Sequence, residues 1–258
     1  MVKKVKESID YGNWVPRNII YFFFVVFLAL LIPTVFPISL IAKTILWVLA
    51  GIWFLPFSYM IYLYWYFSLN NNELQYKIWD LVIQKLPWNG QGKALDVGTG
   101  AGALAIKLAK RFPESEIHGI DHWGKGWNYS KLQCEENARH EGVADQVIFQ
   151  RASASKLPFK DGEFDAIVSN FVYHEVRTTR DKRKLINESL RVLRKGGTFS
   201  LQDTFKNKRR YGLTKDLIKQ IKDWGIQQVN FVESADELSM PRLVKTELKT
   251  MGLLYGIK

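Results

Sequence analysis

Two long runs without a charged residue constrain the fold of this chain most strongly. Residues 18–42 and 44–72 contain no Asp, Glu, Lys or Arg, and Lys43 alone separates them. Each run exceeds the about 20 apolar residues that a helix needs to cross a bilayer. Because backbone polar groups must be satisfied within lipid, we expect two helices, over residues 19–37 and 44–67. The sequence therefore predicts a two-helix transmembrane hairpin.

The two runs do not fit a secretory signal peptide, because they are paired, too long and not followed by a small-residue cleavage site. A buried helical hairpin in a soluble protein, or one re-entrant segment, is the alternative. Tyr and Trp residues gather near the end of the second run. These side chains favour the headgroup level of a bilayer, which supports a membrane anchor.

Basic residues predict the orientation of the hairpin. Lys3, Lys4, Lys6 and Arg17 precede the first span, Lys43 lies in the predicted turn, and most other Lys and Arg residues follow the second span. Positively charged residues stay on the cytoplasmic side of a membrane. We therefore expect both termini and the polar part of the chain on the cytoplasmic face.

A glycine-rich turn opens the polar part of the chain. The sequence LDVGTGAG, at residues 95–102, is typical of a short buried strand, a turn and the start of a helix. Glycines permit positive φ angles, and a helix N-terminus offers N–H groups to an anionic ligand. A second strand ends in Asp121, 19 positions after Gly102, where a carboxylate can accept both ribose hydroxyls of a nucleoside. We expect a nucleotide-like ligand across this turn.

Three further motifs follow in order along the chain. They are SASKLPF at residues 153–159, FDAIVSN at 164–170 and LRVLRKGGT at 190–198. Together with the glycine turn and Asp121, they resemble the class I S-adenosylmethionine-dependent methyltransferases. The resemblance covers residues 75–258 and implies a Rossmann-like α/β domain with a seven-stranded sheet and S-adenosylmethionine as the cofactor.

The resemblance also implies which residues hold the cofactor. In that family the glycine motif holds the methionine part, the later acid holds the ribose, and the stretch before Leu-Pro-Phe frames the adenine. The cofactor-binding residues carried over in this way are Asp96, Gly98, Thr99, Gly100, Gly102, Asp121, His122, Trp123, Ser153, Ala154 and Asn170. Ser153 departs from the pattern, because many relatives have an acid there; its hydroxyl can still bond the adenine amino group without charge.

The loop after the fourth predicted strand is expected to face the transferred methyl group. His174 in this loop has an ordinary pKa of about 6.5 and is a candidate for accepting a proton from a hydroxyl or thiol. Glu175 is a candidate base or a residue that orients His174, and Asp203 ends a strand at the same sheet edge. A base is needed only when the acceptor must lose a proton, since the sulfonium methyl group is already activated.

Charge and cysteine content limit the possible partners. The net charge is +11, and the basic clusters suit anionic headgroups better than nucleic acid, because no aromatic residues are interleaved with them. Cys134 is the single cysteine, which excludes an intrachain disulfide and a cysteine zinc cluster, and it is expected in the core. No metal site is predicted, and the sequence leaves the oligomeric state open.

The predicted organisation is a membrane anchor at residues 1–72, a linker helix at 73–92 and a methyltransferase domain at 93–258. We expect methyl transfer to a small acceptor that partitions into the membrane, such as a lipid, quinone, hydrophobic phenol or thiol, at the cytoplasmic face. Two alternatives stay open. One is a membrane scaffold that binds S-adenosylmethionine without catalysis. The other is a membrane-bound NAD(P)-dependent oxidoreductase, because Gly98-x-Gly100-x-x-Ala103 also satisfies the dinucleotide fingerprint.

Overall fold

A computed structural model describes residues 9–68, 74–124 and 129–258. The chain divides into two compact units. The smaller unit is Asn13–Tyr76, and the larger unit combines the residues up to Gly12 with Lys77–Lys258. The predicted boundary between residues 72 and 73 lies outside the described residues, as do Lys3, Lys4 and Lys6.

The smaller unit is a helical hairpin. Helix α1 spans Arg17–Leu31 and continues as a 3₁₀ turn over Ile32–Val35, and helix α2 spans Leu40–Tyr66. Both stretches are long and apolar enough to cross a membrane, judged by length and composition. The Ser39 hydroxyl accepts a hydrogen bond from the third residue after it and starts α2 early. As a result Lys43, expected in the turn, lies in the first turn of α2.

Aromatic side chains hold α1 against α2. The ring centroids of Phe24 and Phe57 lie 5.4 Å apart, and those of Phe27 and Phe54 also lie 5.4 Å apart. Most other side chains of both helices are exposed or half-buried. This exposure is the opposite of what the buried hairpin of a soluble protein requires, because such a helix is covered on its apolar face.

The larger unit is built on a sheet of seven strands in the described part of the chain. In chain order they are β1 (Gly92–Val97), β2 (Ser115–Asp121), β3 (Val147–Arg151), β4 (Phe164–Asn170), β5 (Leu193–Asp203), β6 (Gln228–Val232) and β7 (Gly252–Ile257). Their spatial order is β3-β2-β1-β4-β5-β7-β6, and β7 is antiparallel to both of its neighbours. The predicted seven-stranded Rossmann-like sheet is therefore confirmed.

Helices cover the sheet and are connected to it by short loops. In chain order they are α3 (Leu74–Gln84), α4 (Ala103–Arg111), α5 (Lys131–His140), α6 (Arg183–Val192), α7 (Lys208–Tyr211), α8 (Thr214–Asp223), α9 (Ser234–Glu237) and α10 (Arg242–Glu247). Helix α3 lies within the linker helix predicted at residues 73–92. Its apolar side chains, including Ile78 and Val82, are fully buried, and from Lys77 onward it belongs to the larger unit.

The strand order determines where a ligand can bind. The chain runs from β1 outward to β2 and β3 on one side and continues at β4 on the other side of β1. The loops after β1 and β4 therefore separate at the carboxyl edge of the sheet. Open α/β sheets bind their ligands in the crevice at such a switch point.

Candidate active site

The glycine turn after β1 is fixed to the end of β2 by its own backbone. The N–H groups of Gly98 and Thr99 donate to the carbonyl oxygen of Ile120, at 2.8 and 2.9 Å. The N–H of Gly100 donates to Oδ2 of Asp121 at 2.9 Å. We expected these N–H groups to face a ligand, but they are already used within the protein. These three N–H groups therefore fasten the turn to the end of β2, and side chains at this edge are the next candidates for binding a ligand.

Three side-chain oxygens at this edge are buried and have no hydrogen-bond partner among the described residues. They are Oδ2 of Asp96, Oγ1 of Thr99 and Oδ1 of Asn170. Buried polar atoms in native proteins are almost always paired, so three such atoms at one sheet edge indicate a polar ligand. All three residues were predicted to bind the cofactor.

Asp96 is a buried carboxyl group of this edge with a strongly raised pKa. It is 1% exposed, and burial raises its pKa to about 7. The nearby charge of Asp121 adds to the rise. A cationic ligand group would reverse this shift, because an opposite charge stabilises the carboxylate.

Asp121 links the glycine turn to the loop that follows β2. Its Oδ1 accepts the backbone N–H of Trp123 at 2.8 Å, and the Trp123 indole Nε1 donates to the carbonyl oxygen of Gly100 at 2.9 Å. An ionised carboxylate has about four acceptor positions, so Asp121 retains capacity for the hydroxyls of a ribose. His122, also predicted at this site, is exposed, and its carbonyl oxygen accepts a bond from the Arg151 side chain at 3.1 Å.

The predicted adenine-side residues lie on the loop after β3. This loop is joined to the end of β2, because the N–H of Ala152 donates to the carbonyl oxygen of Asp121 at 2.9 Å. The Ser153 hydroxyl lies 2.8 Å from the hydroxyl of Ser155, and Ala154 is buried in the core. The structure therefore keeps Ser153 and Ala154 beside the ribose-binding candidate without showing a contact to a ligand.

Sequence reasoning missed two groups that hold the glycine turn from the other side. The Sγ of Cys134 lies 3.1 Å from the carbonyl oxygen of Gly100, and the Asn137 amide donates to the carbonyl oxygen of Ala101 at 2.9 Å. Asn137 also exchanges hydrogen bonds with the backbone of Asp10, at 2.8 and 3.0 Å. The sequence signal for this contact was Asn137 itself, a polar residue one helical turn after Cys134 on the face of α5 that is buried.

The three predicted catalytic residues come together at the ends of β4 and β5. His174 Nδ1 lies 2.9 Å from Oδ1 of Asp203, and His174 Nε2 lies 3.1 Å from Oε1 of Glu175. The backbone N–H of His174 donates to Oδ2 of Asp203 at 3.3 Å. The N–H and the hydroxyl of Thr204 donate to Oδ1 of Asp203 at 2.6 and 3.1 Å. Asp203 is fully buried, so this carboxylate is a fixed anchor for the imidazole.

The two carboxylates decide the charge of His174. Burial disfavours the imidazolium, but the hydrogen bonds that its N–H groups donate to Asp203 and Glu175 outweigh burial and raise the pKa of His174 to about 9. Burial also raises the pKa of Asp203, yet contact with His174 outweighs that effect and lowers it overall. This differs from the ordinary value of about 6.5 expected for His174. The imidazole is therefore protonated at neutral pH.

Two residues other than glycine have positive φ angles in the described ranges, and both follow strands at this edge. Trp123 has φ 43° after β2, and Phe171 has φ 58° after β4. The Phe171 ring meets the His174 ring edge-on, with centroids 6.1 Å apart. Such backbone conformations cost about 1–3 kcal/mol each and concentrate at functional sites.

Comparison with known proteins identifies the class of this site. Residues 95–201 match the family model described as a methyltransferase domain. The ubiquinone/menaquinone biosynthesis C-methyltransferase of Geobacter sp. (strain M21) is 34% identical over 116 residues, which are 45% of this chain and 46% of that protein. The chain thus spans about half the length of the curated relatives that it matches.

Solved structures share the fold. The geranyl diphosphate C-methyltransferase from Streptomyces coelicolor A3(2), solved with Mg²⁺, geranyl diphosphate and S-adenosyl-L-homocysteine, superposes with a TM-score of 0.53 and 15% identity, over 72% of this chain and 79% of that chain. The [4+2]-cyclase SpnF superposes with a TM-score of 0.52 and 22% identity, over 70% and 80% of the two chains.

Residues 95–201 match the methyltransferase domain, and the seven-stranded sheet around them has the fold expected for the class I S-adenosylmethionine-dependent methyltransferases. The cofactor of this class is S-adenosylmethionine, as the sequence predicted. The match does not favour the nicotinamide oxidoreductase that the glycine turn alone left open.

The unpaired groups fit this cofactor. S-adenosylmethionine carries an ammonium group, a carboxylate and two ribose hydroxyls. Asp96 and the Asn170 carbonyl would accept from the ammonium, and the Thr99 hydroxyl would donate to the carboxylate. Asp121 would accept from the ribose. These donors and acceptors complement the cofactor without requiring any group to be buried unpaired.

Proposed function

We propose that this protein transfers a methyl group from S-adenosylmethionine to a quinone-like acceptor that partitions into the membrane. The observation that carries the acceptor class is the exposed apolar hairpin in the same chain as the methyltransferase domain. The relative from Geobacter, named a C-methyltransferase of ubiquinone and menaquinone biosynthesis, supports the same class. Confinement to the bilayer raises the effective concentration of a lipophilic acceptor.

The residues of this chain would act in a simple order. When bound, S-adenosylmethionine supplies an activated methyl group on its sulfonium. Asp96, Thr99, Asn170 and Asp121 would hold the ammonium, carboxylate and ribose groups of the cofactor. In-line positioning of its methyl group against the acceptor would provide most of the acceleration.

Proton removal from a phenolic acceptor is assigned to His174. Because its pKa is raised, His174 carries a proton on each ring nitrogen while Glu175 contacts it. It becomes a base when Glu175 moves aside and Nε2 releases its proton to solvent. Nε2 then takes the acceptor proton, and Nδ1–H continues to donate to Asp203. Glu175 has the freedom to move, because its side chain is 47% exposed. Asp203 then stabilises the imidazolium that forms, as a buried carboxylate beside an imidazole does in other enzymes.

The proposed location is the cytoplasmic face of the cell membrane. The chain leaves the larger unit at Gly12 and returns to it at Lys77, so both ends of the hairpin join the same body. An even number of spans satisfies this connection. The basic residues on both sides of the hairpin support a cytoplasmic location of that body, and its excess of positive charge suits anionic headgroups.

Product identification tests the proposal. Purified full-length protein is incubated with radiolabelled S-adenosylmethionine and a lipid extract of the host, and labelled products are separated and identified by mass spectrometry. We expect label in a quinone or related lipophilic phenol, and loss of that label with the variant Asp121→Ala. Bound S-adenosylmethionine without any labelled product would contradict the proposal and favour the non-catalytic scaffold.

Removal of the hairpin tests the acceptor class. A variant that lacks residues 13–76 is compared with the full chain on acceptor embedded in membranes and on a short-chain soluble analogue. We expect loss on the embedded acceptor and retention on the analogue. Equal activity of both proteins on the embedded acceptor would show that the hairpin does not deliver the acceptor.

A further inference from the structure

A basic cavity lies next to the His174–Asp203 pair and has no role in cofactor binding. Its volume is about 710 Å³, and it is formed by residues 178–184 and 208–212. Sites for small molecules occupy about 300–1,000 Å³, so the cavity has the size of a ligand site. The cations that line it are Arg180, Arg183, Lys184, Lys208, Arg209 and Arg210.

Most of this positive charge is not neutralised. Asp181 is the carboxylate that lines the cavity, and it is already paired with Arg183 through bonds of 2.8 and 2.9 Å. The other five cations form no ion pair with a described residue. Like charges gathered around one concavity repel one another and attract anions. The nearby Lys182 shows the effect, because burial and the charge of Arg210 lower its pKa.

The donor types favour phosphate. Four of the six cations are arginines, and a guanidinium presents paired N–H groups that match two oxygens of a phosphate. Thr178 and Thr179 add hydroxyl donors at the same wall. A surface for single-stranded nucleic acid needs exposed aromatic rings for stacking. Tyr211 is the aromatic residue of the lining and is only 1% exposed, so the cavity does not provide such a platform.

The cavity is connected to the catalytic candidates by Arg210. Its Nη1 lies 3.5 Å from the Thr204 hydroxyl, and Thr204 donates to Asp203. The charge of Arg210 also contributes to the lowered pKa of Glu175. An anion bound at Arg210 therefore lies close to the group that would accept the acceptor proton.

We propose that this basic cavity binds the phosphate group of an organic phosphate, at a position beside His174 and separate from the cofactor site. The phosphate can belong to a soluble ester, to the acceptor itself or to a phospholipid headgroup. All three present the same tetrahedral oxyanion to the arginines.

Calorimetry with inorganic pyrophosphate tests the site. Full-length protein in a zwitterionic detergent is titrated at about 150 mM salt, where long-range charge effects are screened over about 8 Å. We expect saturable binding that Arg180→Gln and Arg209→Gln each weaken about tenfold, the effect of losing one charge-assisted contact. Lys222→Gln, an exposed lysine of α8 outside the cavity, is the matched control and should bind as the unmodified protein does.

Each further outcome decides a specific point. No saturable binding, or equal weakening by Lys222→Gln, overturns the proposal. Tighter binding of a single-stranded oligonucleotide, lost in the same arginine variants, overturns it in favour of nucleic acid. S-adenosylmethionine affinity, measured on the same samples, reports correct folding of the variants. If the unmodified protein does not bind S-adenosylmethionine, the proposed function is refuted but the phosphate result remains valid.

Two nanodisc preparations identify the source of the phosphate. One contains phosphatidylcholine alone, and the other contains phosphatidylcholine with phosphatidylglycerol. Loss of pyrophosphate binding in the second preparation indicates an anionic lipid headgroup as the natural ligand. Equal binding in both indicates a soluble or acceptor-borne phosphate. Either result supports the proposed chemistry.

Discussion

His174 and Asp203 lie on different strand-end loops, yet Nδ1 of the imidazole is 2.9 Å from a carboxylate oxygen that is completely buried. This contact fixes the orientation of the ring and keeps a proton on Nδ1. It also leaves Nε2 as the nitrogen that faces the half-exposed Glu175. The pair therefore determines the orientation of the His174 imidazole and contributes to its basicity.

The first prediction concerns the titration of His174. Nuclear magnetic resonance of ¹⁵N-labelled histidine should give a pKa of about 9, and Glu175→Gln should lower that pKa because one of the two carboxylates that raise it is lost. Glu114→Gln is the control, because it removes an exposed carboxylate that does not contact His174. An unperturbed His174 in the unmodified protein would contradict the assigned contact.

The same shift gives a stability prediction with a definite sign. Because the folded-state pKa of His174 is raised, its contribution to the free energy of unfolding is complete below about pH 6.5 and disappears as pH rises through about 9. The thermal midpoint should therefore fall across this window. His174→Gln should flatten that fall, and an unchanged slope in this variant would rule out His174 as its source.

The second prediction concerns Asp96, whose carboxyl group has a raised pKa of about 7. Ionisation of this buried group without a cationic partner destabilises the cofactor-free protein as pH rises from about 4 to about 7, by at most about 4 kcal/mol. Asp96→Asn should therefore raise the thermal midpoint at pH 8 and weaken S-adenosylmethionine binding. Scanning calorimetry at pH 5 and pH 8 measures the first effect; a variant less stable than the parent at pH 8 would be the contrary result.

The third prediction concerns the ribose-binding candidate. Asp121→Ala should weaken S-adenosylmethionine binding by about 1–3 kcal/mol, because the ribose hydroxyls lose a charged acceptor. Isothermal titration measures the change. Asp145→Ala removes an exposed carboxylate from a turn and serves as the control. Equal affinities of the Asp121 variant and the parent would refute the assignment.

The fourth prediction concerns the residue that departs from the family pattern. Ser153→Asp should tighten S-adenosylmethionine binding, because a carboxylate accepts a hydrogen bond from the adenine amino group more strongly than a hydroxyl does. Ser155→Asp, on the neighbouring position of the same turn, is the matched control. If neither variant tightens binding, or if both do, Ser153 does not have the predicted role.

Local sequence predicted the strands and the glycine turn well, because both depend on neighbouring residues. The apolar run before Asp96 and the glycines after it fix a strand and a turn within ten positions. The predicted strand ends also indicated that His174 and Asp203 lie at one sheet edge. The sequence did not predict the hydrogen bond between them, because a contact over 29 positions depends on the register of β4 against β5.

Long-range packing explains the remaining differences. The residues before the first span were assigned to the anchor, yet Asp10 is bonded to Asn137, 127 positions later. The pKa of His174 also depends on two carboxylates brought close by the fold and on burial, neither of which a sequence displays. The sequence also did not show that helix α3 buries its apolar side chains, because an amphipathic pattern does not reveal which surface covers the apolar face.

The bridge formed by Asn137 has a practical consequence for producing a water-soluble enzyme. The Asn137 side-chain amide donates hydrogen bonds both to the backbone of Asp10 and to the glycine turn. Simple truncation before residue 73 would remove Asp10 and its hydrogen bonds to Asn137, together with the two apolar helices. Excision of residues 13–76, with a short flexible connector joining the flanks, preserves it, so crystallisation and screening should begin from the excised form.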